Sequence, residues 1–373
     1  MTGTRLPHVT VVAAARPNFM KVGPVLRALD GRAETSLVHT GQHYDDHMSR
    51  IFFEELGIPL PDVNLGVGSG THAEQTAAVM VAFEKQLIGT ATDAVVVVGD
   101  VNSTLAASLV ATKLGIPVAH VEAGLRSGDW TMPEEANRVL TDRMSRWLFT
   151  PSADGDANLH AEGIEPDRIH LVGNVMVDTL LANLDRAKVR GRALRGQLGG
   201  LDRFAVLTLH RPGNVDDTES LSCLLAAVAG AAPGLPVVFP VHPRTAARIE
   251  GRADLPSNLR CLPPLSYLDF IGLVAGADVV LTDSGGIQEE SSVLGVPCLT
   301  IRDNTERPVT CELGTNRLIG TDPAAIAPAV AAVVGTPRRP AQIPLWDGRA
   351  GERIAEILVR ELEPFVRATG EAA

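Results

Sequence analysis

Residues 277–303 read ADVVLTDSGGIQEESSVLGVPCLTIRD. A β-branched apolar run, ADVVLTD, stops at Asp-Ser-Gly-Gly, a helical pattern follows, and a second β-run, PCLTIRD, closes the unit. Strand, tight turn, helix and strand in that order form a unit of parallel sheet. Two glycines at a strand-to-helix turn suit a ligand held close to backbone N–H groups. Glu289 and Glu290 lie one turn into the helix. They would repel a phosphate at that turn, so they need another role.

The same rhythm extends in both directions. Candidate strands upstream are VTVVAAA (9–15), SLVHTG (36–41), AVVVVGD (94–100), PVAHVEA (117–123), WLFTPS (147–152) and IHLVGN (169–174), followed by FAVLTLH (204–210) and PVVFPVH (236–242). Amphipathic segments such as KVGPVLRAL and AEQTAAVMVAFEKQL separate them. This alternation predicts α/β architecture with helices on both faces of parallel sheets. One sheet of so many strands would be unusually large. The expectation is two doubly wound domains, 1–175 and 176–349, with a hinge near 174–185. A terminal helix at about 350–366 can pack back on the first domain.

The chain has 373 residues, 45% hydrophobic and 21% charged, as expected of a globular protein with a sizeable core. A formal net charge of −11 disfavours a nucleic-acid surface. Its four cysteines form no CxxC, which fits reduced thiols in a cytoplasm better than a disulfide framework or a zinc site. The apolar run in MTGTRLPHVTVVAAARPNFMK is too short for a signal peptide, and no run approaches a membrane span. The expectation is a cytoplasmic protein without nucleic-acid or membrane partners.

In open α/β sheets, ligands bind outside the carboxyl ends of the strands. The candidate strands end at Arg16, Asp100, Glu122, His210, His242 and Asp283–Ser284. Any one of these alone reads as a cap or turn residue; six ionisable or polar strand ends read as a site. Arg16 and Lys21 follow the first strand, where phosphate is commonly held. Arg307, in RDNTERPVT, suits a diphosphate clamp or a pair with Glu306. In MPEEANR, Glu134 and Glu135 open a Pro-led helix, where the helix dipole alone favours acids. Carboxylates and a histidine around an anion site are what proton transfer on a phosphorylated substrate requires.

Other segments read more plainly. GVGSGT (66–71) has the spacing G-x-G-x-G, with no strand close before it, and does not qualify as a dinucleotide fingerprint. There is no Walker A motif. His43 and His47, in TGQHYDDHM, lack the HExxH grammar of a zinc site and read as surface or interface residues. No metal or cofactor is expected.

Taken together, ARPNFMK, TGQHYD, GDVNSTLAA, HVEAGLRS, PEEANRVLTD, VGNVMVDTL, LHRPGN, TDSGGIQEE, NTERPV and GTNRLIG run in order along almost the whole chain. In this set and spacing the sequence resembles the non-hydrolysing UDP-N-acetylglucosamine 2-epimerases. The resemblance implies a GT-B fold, with the nucleotide-sugar in an interdomain cleft. It matches Asp100, Glu122 and Glu134 to catalytic acids and His210 to a histidine of catalysis or phosphate contact. Arg16 and Lys21 match basic residues near the diphosphate and sugar. Ser284, Gly285 and Gly286 match the diphosphate turn, Glu290 a ribose ligand, Arg307 the TERP arginine and Phe270 the uracil contact. Gln42, His43, Arg211 and His242 fall where some members bind a second UDP-GlcNAc, although the local sequence departs from those members. A homodimer is also implied. Gly213 stands where many members have Glu, and Leu265 where some place Gln.

The chemistry so implied is reversible exchange of UDP-GlcNAc and UDP-ManNAc. The sugar's C2 hydrogen has no adjacent carbonyl, so the handle is the anomeric leaving group, and UDP departs to give a 2-acetamidoglucal. A hydrolysing 2-epimerase and an epimerase of another UDP-2-acetamido sugar fit the same residues. A GT-B glycosyltransferase is the more distant alternative.

Overall fold

A computed structural model describes residues 5–14, 16–41, 53–231, 234–249 and 255–370. The chain divides into one unit of residues 1–179 with 344–373 and a second of residues 180–343.

The first unit carries a fully parallel seven-stranded sheet in the order β3-β2-β1-β4-β5-β6-β7. Its strands are β1 (His8–Ala13), β2 (Glu34–His39), β3 (Val63–Asn64), β4 (Ala94–Val98), β5 (Val118–Val121), β6 (Trp147–Thr150) and β7 (Ile169–Leu171). Central strand β4, AVVVV, is buried at every position, as a parallel strand covered on both faces must be. The covering helices are α1 (Arg16–Leu29), α2 (His72–Ile88), α3 (Asn102–Lys113), α4 (Pro133–Met144) and α5 (Ala153–Ala161). Thr71 and Glu74 close a capping box at the start of α2. A long helix, α6 (Val175–Gln197), leaves this unit and enters the next.

The second unit is built alike, as a parallel six-stranded sheet in the order β10-β9-β8-β11-β12-β13. Its strands are β8 (Ala205–Thr208), β9 (Val237–Pro240), β10 (Leu259–Leu262), β11 (Val279–Thr282), β12 (Cys298–Thr300) and β13 (Asn316–Leu318). Its helices are α7 (Pro212–Val215), α8 (Thr218–Gly230), α9 (Pro243–Ile249), α10 (Tyr267–Val274), α11 (Gly285–Leu294), α12 (Val309–Glu312) and α13 (Ile326–Val333). The chain then returns to the first unit, where Asp178 accepts from the Ala350 and Gly351 amides at the start of α14 (Ala350–Gly370). Two doubly wound α/β sheets of this kind are the GT-B fold class read from the sequence. Among the described residues, no helix is long and apolar enough to cross a membrane.

Strand order reverses between β1 and β4 in the first sheet and between β8 and β11 in the second. A doubly wound sheet opens its ligand crevice at such a reversal, outside the carboxyl ends. Lys21 follows β1 and Asp100 follows β4; His210 follows β8 and Ser284 follows β11.

Candidate functional site

In the first unit, β4 pairs with β5 in the register Val98↔Val121, so Asp100 and Glu122 leave neighbouring strands at the same end of the sheet. Between β4 and Asp100 lies Gly99, at φ 65. A Cβ there would crowd Lys21 Nζ at 3.1 Å and touch Glu122 Oε2 at 3.4 Å, and the left-handed φ itself favours glycine. Lys21 donates to Glu122 in a buried ion pair. Glu122 itself has φ 72, an uncommon conformation for a residue with a side chain, and one that recurs at functional sites.

Asp100 is met by Arg138, whose Nε and Nη2 both donate to Oδ2, at 3.0 and 2.6 Å. The far side of that guanidinium donates to Glu135 at 2.7 Å. Burial opposes ionisation of Glu135, but the Ser127 and Gly128 amides and Arg138 outweigh it and hold its carboxyl below the usual range. The paired acids of PEE therefore separate. Glu135 is turned into the structure, while Glu134 lines a pocket of about 320 Å³ together with Asp100. Ser69, His72, Gln75, Asn102 and Asn137 share its wall.

The glycine-rich segment 66–71 does follow a strand. The sequence reading found no strand close before it, yet β3 ends at Asn64, whose side chain accepts from the Gly66 amide. The two residues of β3 leave no pattern to read. The segment runs to the Thr71 cap and contributes Ser69 and Gly70 to the acid pocket.

The second unit assembles a pocket of about 240 Å³, in which Phe270 and Leu265 sit with His210, His242 and Ser284. Asp283 is the fixed point beneath it. Fully buried, it accepts from the His210 and Arg211 amides, from Asn214 Nδ2 at 3.1 Å and from His210 Nδ1 at 2.8 Å. Burial raises the cost of its charge, but these donors win and its pKa lies below the ordinary 3.8. A carboxyl depressed on folding adds stability that is complete above its unfolded value and lost as pH falls through its folded value. Asp283→Ala is expected to cost about 3–5 kcal/mol, by leaving buried donors without an acceptor. Asp283→Asn should also remove part of the acid-induced loss of stability below about pH 4. Urea unfolding at neutral and acid pH measures both; an alanine cost under about 1 kcal/mol contradicts the assignment.

Arg307 donates to Glu289 at 2.7 Å and lies 3.6 Å from Glu306, so the neighbouring acid read from the sequence belongs to a cluster that Glu289 joins. Arg302 also donates to Glu306, and these guanidinium groups overcome burial to hold the Glu306 carboxyl far below the usual range. A Cβ at Gly285 would lie 2.5 Å from Arg307 Nη1, so the glycine brings this arginine against the first turn of α11. Arg211 bonds the Asp283 carbonyl through Nε and Glu306 through Nη2. Gly213 is not demanded by packing, since a Cβ there would meet nothing within 4 Å.

Glu290 is the outlier among these acids. Burial, with the adjacent Glu289 charge, raises its pKa to about 8, against a downward pull from the Tyr267 hydroxyl. The Tyr267 hydroxyl nevertheless completes no hydrogen bond, and neither does Glu290 Oε1. Cys298 is also buried, its thiol pushed up to about 12. Of the remaining sequence candidates, Gln42 and His43 lie outside the described residues. Arg16 opens α1 directly after β1, and Gly286 is the second residue of α11.

Sequence reasoning passed over Arg138, Asn137, His72 and Tyr267. Glu135, Arg138 and Asp142 fall at i, i+3 and i+7 on α4, a charged stripe on one helix face that was a legible signal for a buried polar network.

The sequence model of the UDP-N-acetylglucosamine 2-epimerase family matches residues 27–359. UDP-N-acetylglucosamine 2-epimerase of Methanocaldococcus jannaschii is 42% identical over 360 residues, covering 94% of this chain and 98% of its own. UDP-2,3-diacetamido-2,3-dideoxy-D-glucuronate 2-epimerase of Pseudomonas aeruginosa is 40% identical over 359 residues, covering 94% and 99%. The crystal structure of the M. jannaschii UDP-GlcNAc 2-epimerase in complex with UDP-GlcNAc and UDP superposes with a TM-score of 0.86, covering 95% of this chain and 99% of that one. With a match this long in sequence and in fold, the chain belongs to the UDP-N-acetylglucosamine 2-epimerase family.

Proposed function

We propose that the chain interconverts UDP-GlcNAc and UDP-ManNAc without hydrolysis, by eliminating and re-adding UDP. The observation that carries this reading is the split of the PEE acids: Glu134 shares a pocket with Asp100, whereas Glu135 is consumed by structural bonds. A carboxylate takes the C2 proton, the C2–H electrons form the C1=C2 bond, and the C1–O pair leaves with UDP. In the return step a diphosphate oxygen bonds C1 and a carboxylic acid protonates C2 from the opposite face. Atoms and charge balance, so no redox partner is consumed. Asp100, Glu122 and Glu134 are the proposed proton-transfer groups.

In the second unit, Ser284 and the amides of Gly285 and Gly286 open α11, a helix N-terminus suited to a diphosphate. Arg307 and His210 neighbour that turn or its pocket and are proposed to stabilise the departing charge. Phe270 offers a face for uracil, and Glu290 an acceptor for ribose hydroxyls.

Incubation with UDP-GlcNAc in deuterated water is expected to yield UDP-ManNAc carrying deuterium at C2. Release of free ManNAc with UDP would replace the proposal by a hydrolysing epimerase, and absence of any exchange would overturn it. The Pseudomonas relative is nearly as similar, so its substrate belongs in the same assay. Turnover of the diacetamido glucuronate alone would keep the chemistry and change the sugar.

A further inference from the structure

Behind the acid-bearing strand ends lies a buried charge cluster that the chemistry above does not use. His120, in the middle of β5, is 1% exposed, and Asp142 on α4 is 0% exposed. Nδ1 of His120 meets Asp142 Oδ1 at 2.6 Å, and Nε2 meets the Gly99 carbonyl oxygen at 2.9 Å. Both partners are acceptors. The ring therefore bridges α4 on one side and the turn before Asp100 on the other. The other Asp142 oxygen accepts from the Gly124 amide at 3.1 Å and faces Arg126 Nη1 at 2.8 Å. Arg126 in turn pairs with Glu162 at 2.7 Å. Burial alone would push the Asp142 carboxyl up, yet His120 and Arg126 hold it below the ordinary range.

This cluster grips the backbone at two informative places. Gly99 immediately precedes Asp100, and Gly124 lies two residues past Glu122, which itself holds a left-handed φ. We propose that His120 and Asp142 are positioning residues for epimerisation, a buried pair that fixes the two turns presenting Asp100 and Glu122. The inference rests on the acid roles proposed above. Neither residue needs to touch substrate. Each acts by setting where a strand-end carboxylate points, and misplacement of a catalytic group by about 1 Å can cost about 100-fold in rate.

The test uses the full chain, His120→Gln and Asp142→Asn, with C2 deuterium exchange, UDP affinity and thermal unfolding measured on each. The expected result is a fall in kcat of about 100-fold, with KM and UDP affinity within about threefold of wild type. Amide hydrogen exchange over residues 99–101 and 122–124 should be faster in both variants than in wild type, because the pair grips the Gly99 carbonyl and the Gly124 amide. Unchanged kcat in both variants would overturn the proposal, as would parallel loss of kcat, UDP affinity and folding. Unchanged amide exchange at both turns would overturn it too. A wild-type chain that exchanges no C2 hydrogen sinks the epimerase reading instead, and amide exchange at the two turns still decides whether the pair fixes them.

Discussion

Asp100→Asn is expected to slow C2 exchange by about 10²–10⁴-fold, the range general acid–base groups contribute, while leaving UDP affinity close to wild type. Asparagine keeps the size of the side chain and one acceptor oxygen for Arg138, so the bidentate contact at 3.0 and 2.6 Å need not collapse. What is lost is the ability to take or give a proton. UDP affinity should hold because the residues proposed to bind uridine and diphosphate belong to the other unit. Stopped-flow or NMR exchange assays alongside calorimetric titration with UDP separate the two quantities. A loss below about tenfold would remove Asp100 from the proton-transfer set.

Glu290→Gln should produce the opposite combination, a more stable protein that binds nucleotide less well. The Glu290 carboxyl is raised from 4.5 to about 8, mainly by burial, so the folded chain keeps a proton that the unfolded chain releases. The sign follows from linkage. Stability from this site is complete below about pH 4.5, and it declines as pH rises toward 8. Glutamine removes that decline, and the gain at pH 8 should be on the order of 2–4 kcal/mol. It also replaces the carboxyl group proposed to bond the ribose hydroxyls by an amide, at a cost of about tenfold in UDP affinity. Thermal unfolding from pH 5 to 8, paired with UDP titration, checks both halves. A pH-independent stability difference would contradict the buried-acid account, and unaltered UDP affinity would contradict the ribose role.

Why the fold was readable, and where it was not, follows from burial. Strands β1, β4, β5, β8 and β11 are interior to their sheets and write largely apolar, β-branched runs, broken only by single polar residues such as Thr10 and His120. The three missed strands, β3, β10 and β13, all lie on sheet edges. β3 has two residues, and β10 exposes Arg260 and Cys261, so neither leaves a run to detect. The site divides along a similar line. Asp100, Glu122, His210 and Ser284 were legible because a strand end is a sequence position with a known geometric meaning. For Arg138 and Asp142 the sequence offers only their shared stripe with Glu135 on α4, and that this face turns inward becomes fixed only when the helix packs on the sheet.

The Asp283 carboxylate has a consequence for anyone recombining members of this family. It ties the LHRPGN turn to the TDSGG turn through His210, Arg211 and Asn214, across 73, 72 and 69 residues of chain. A chimaera with its crossover anywhere between 214 and 283 would join a histidine turn from one parent to an acid turn from another. Such libraries should keep residues 205–284 as a single inherited block. Seams placed outside it leave together two segments that the fold treats as one.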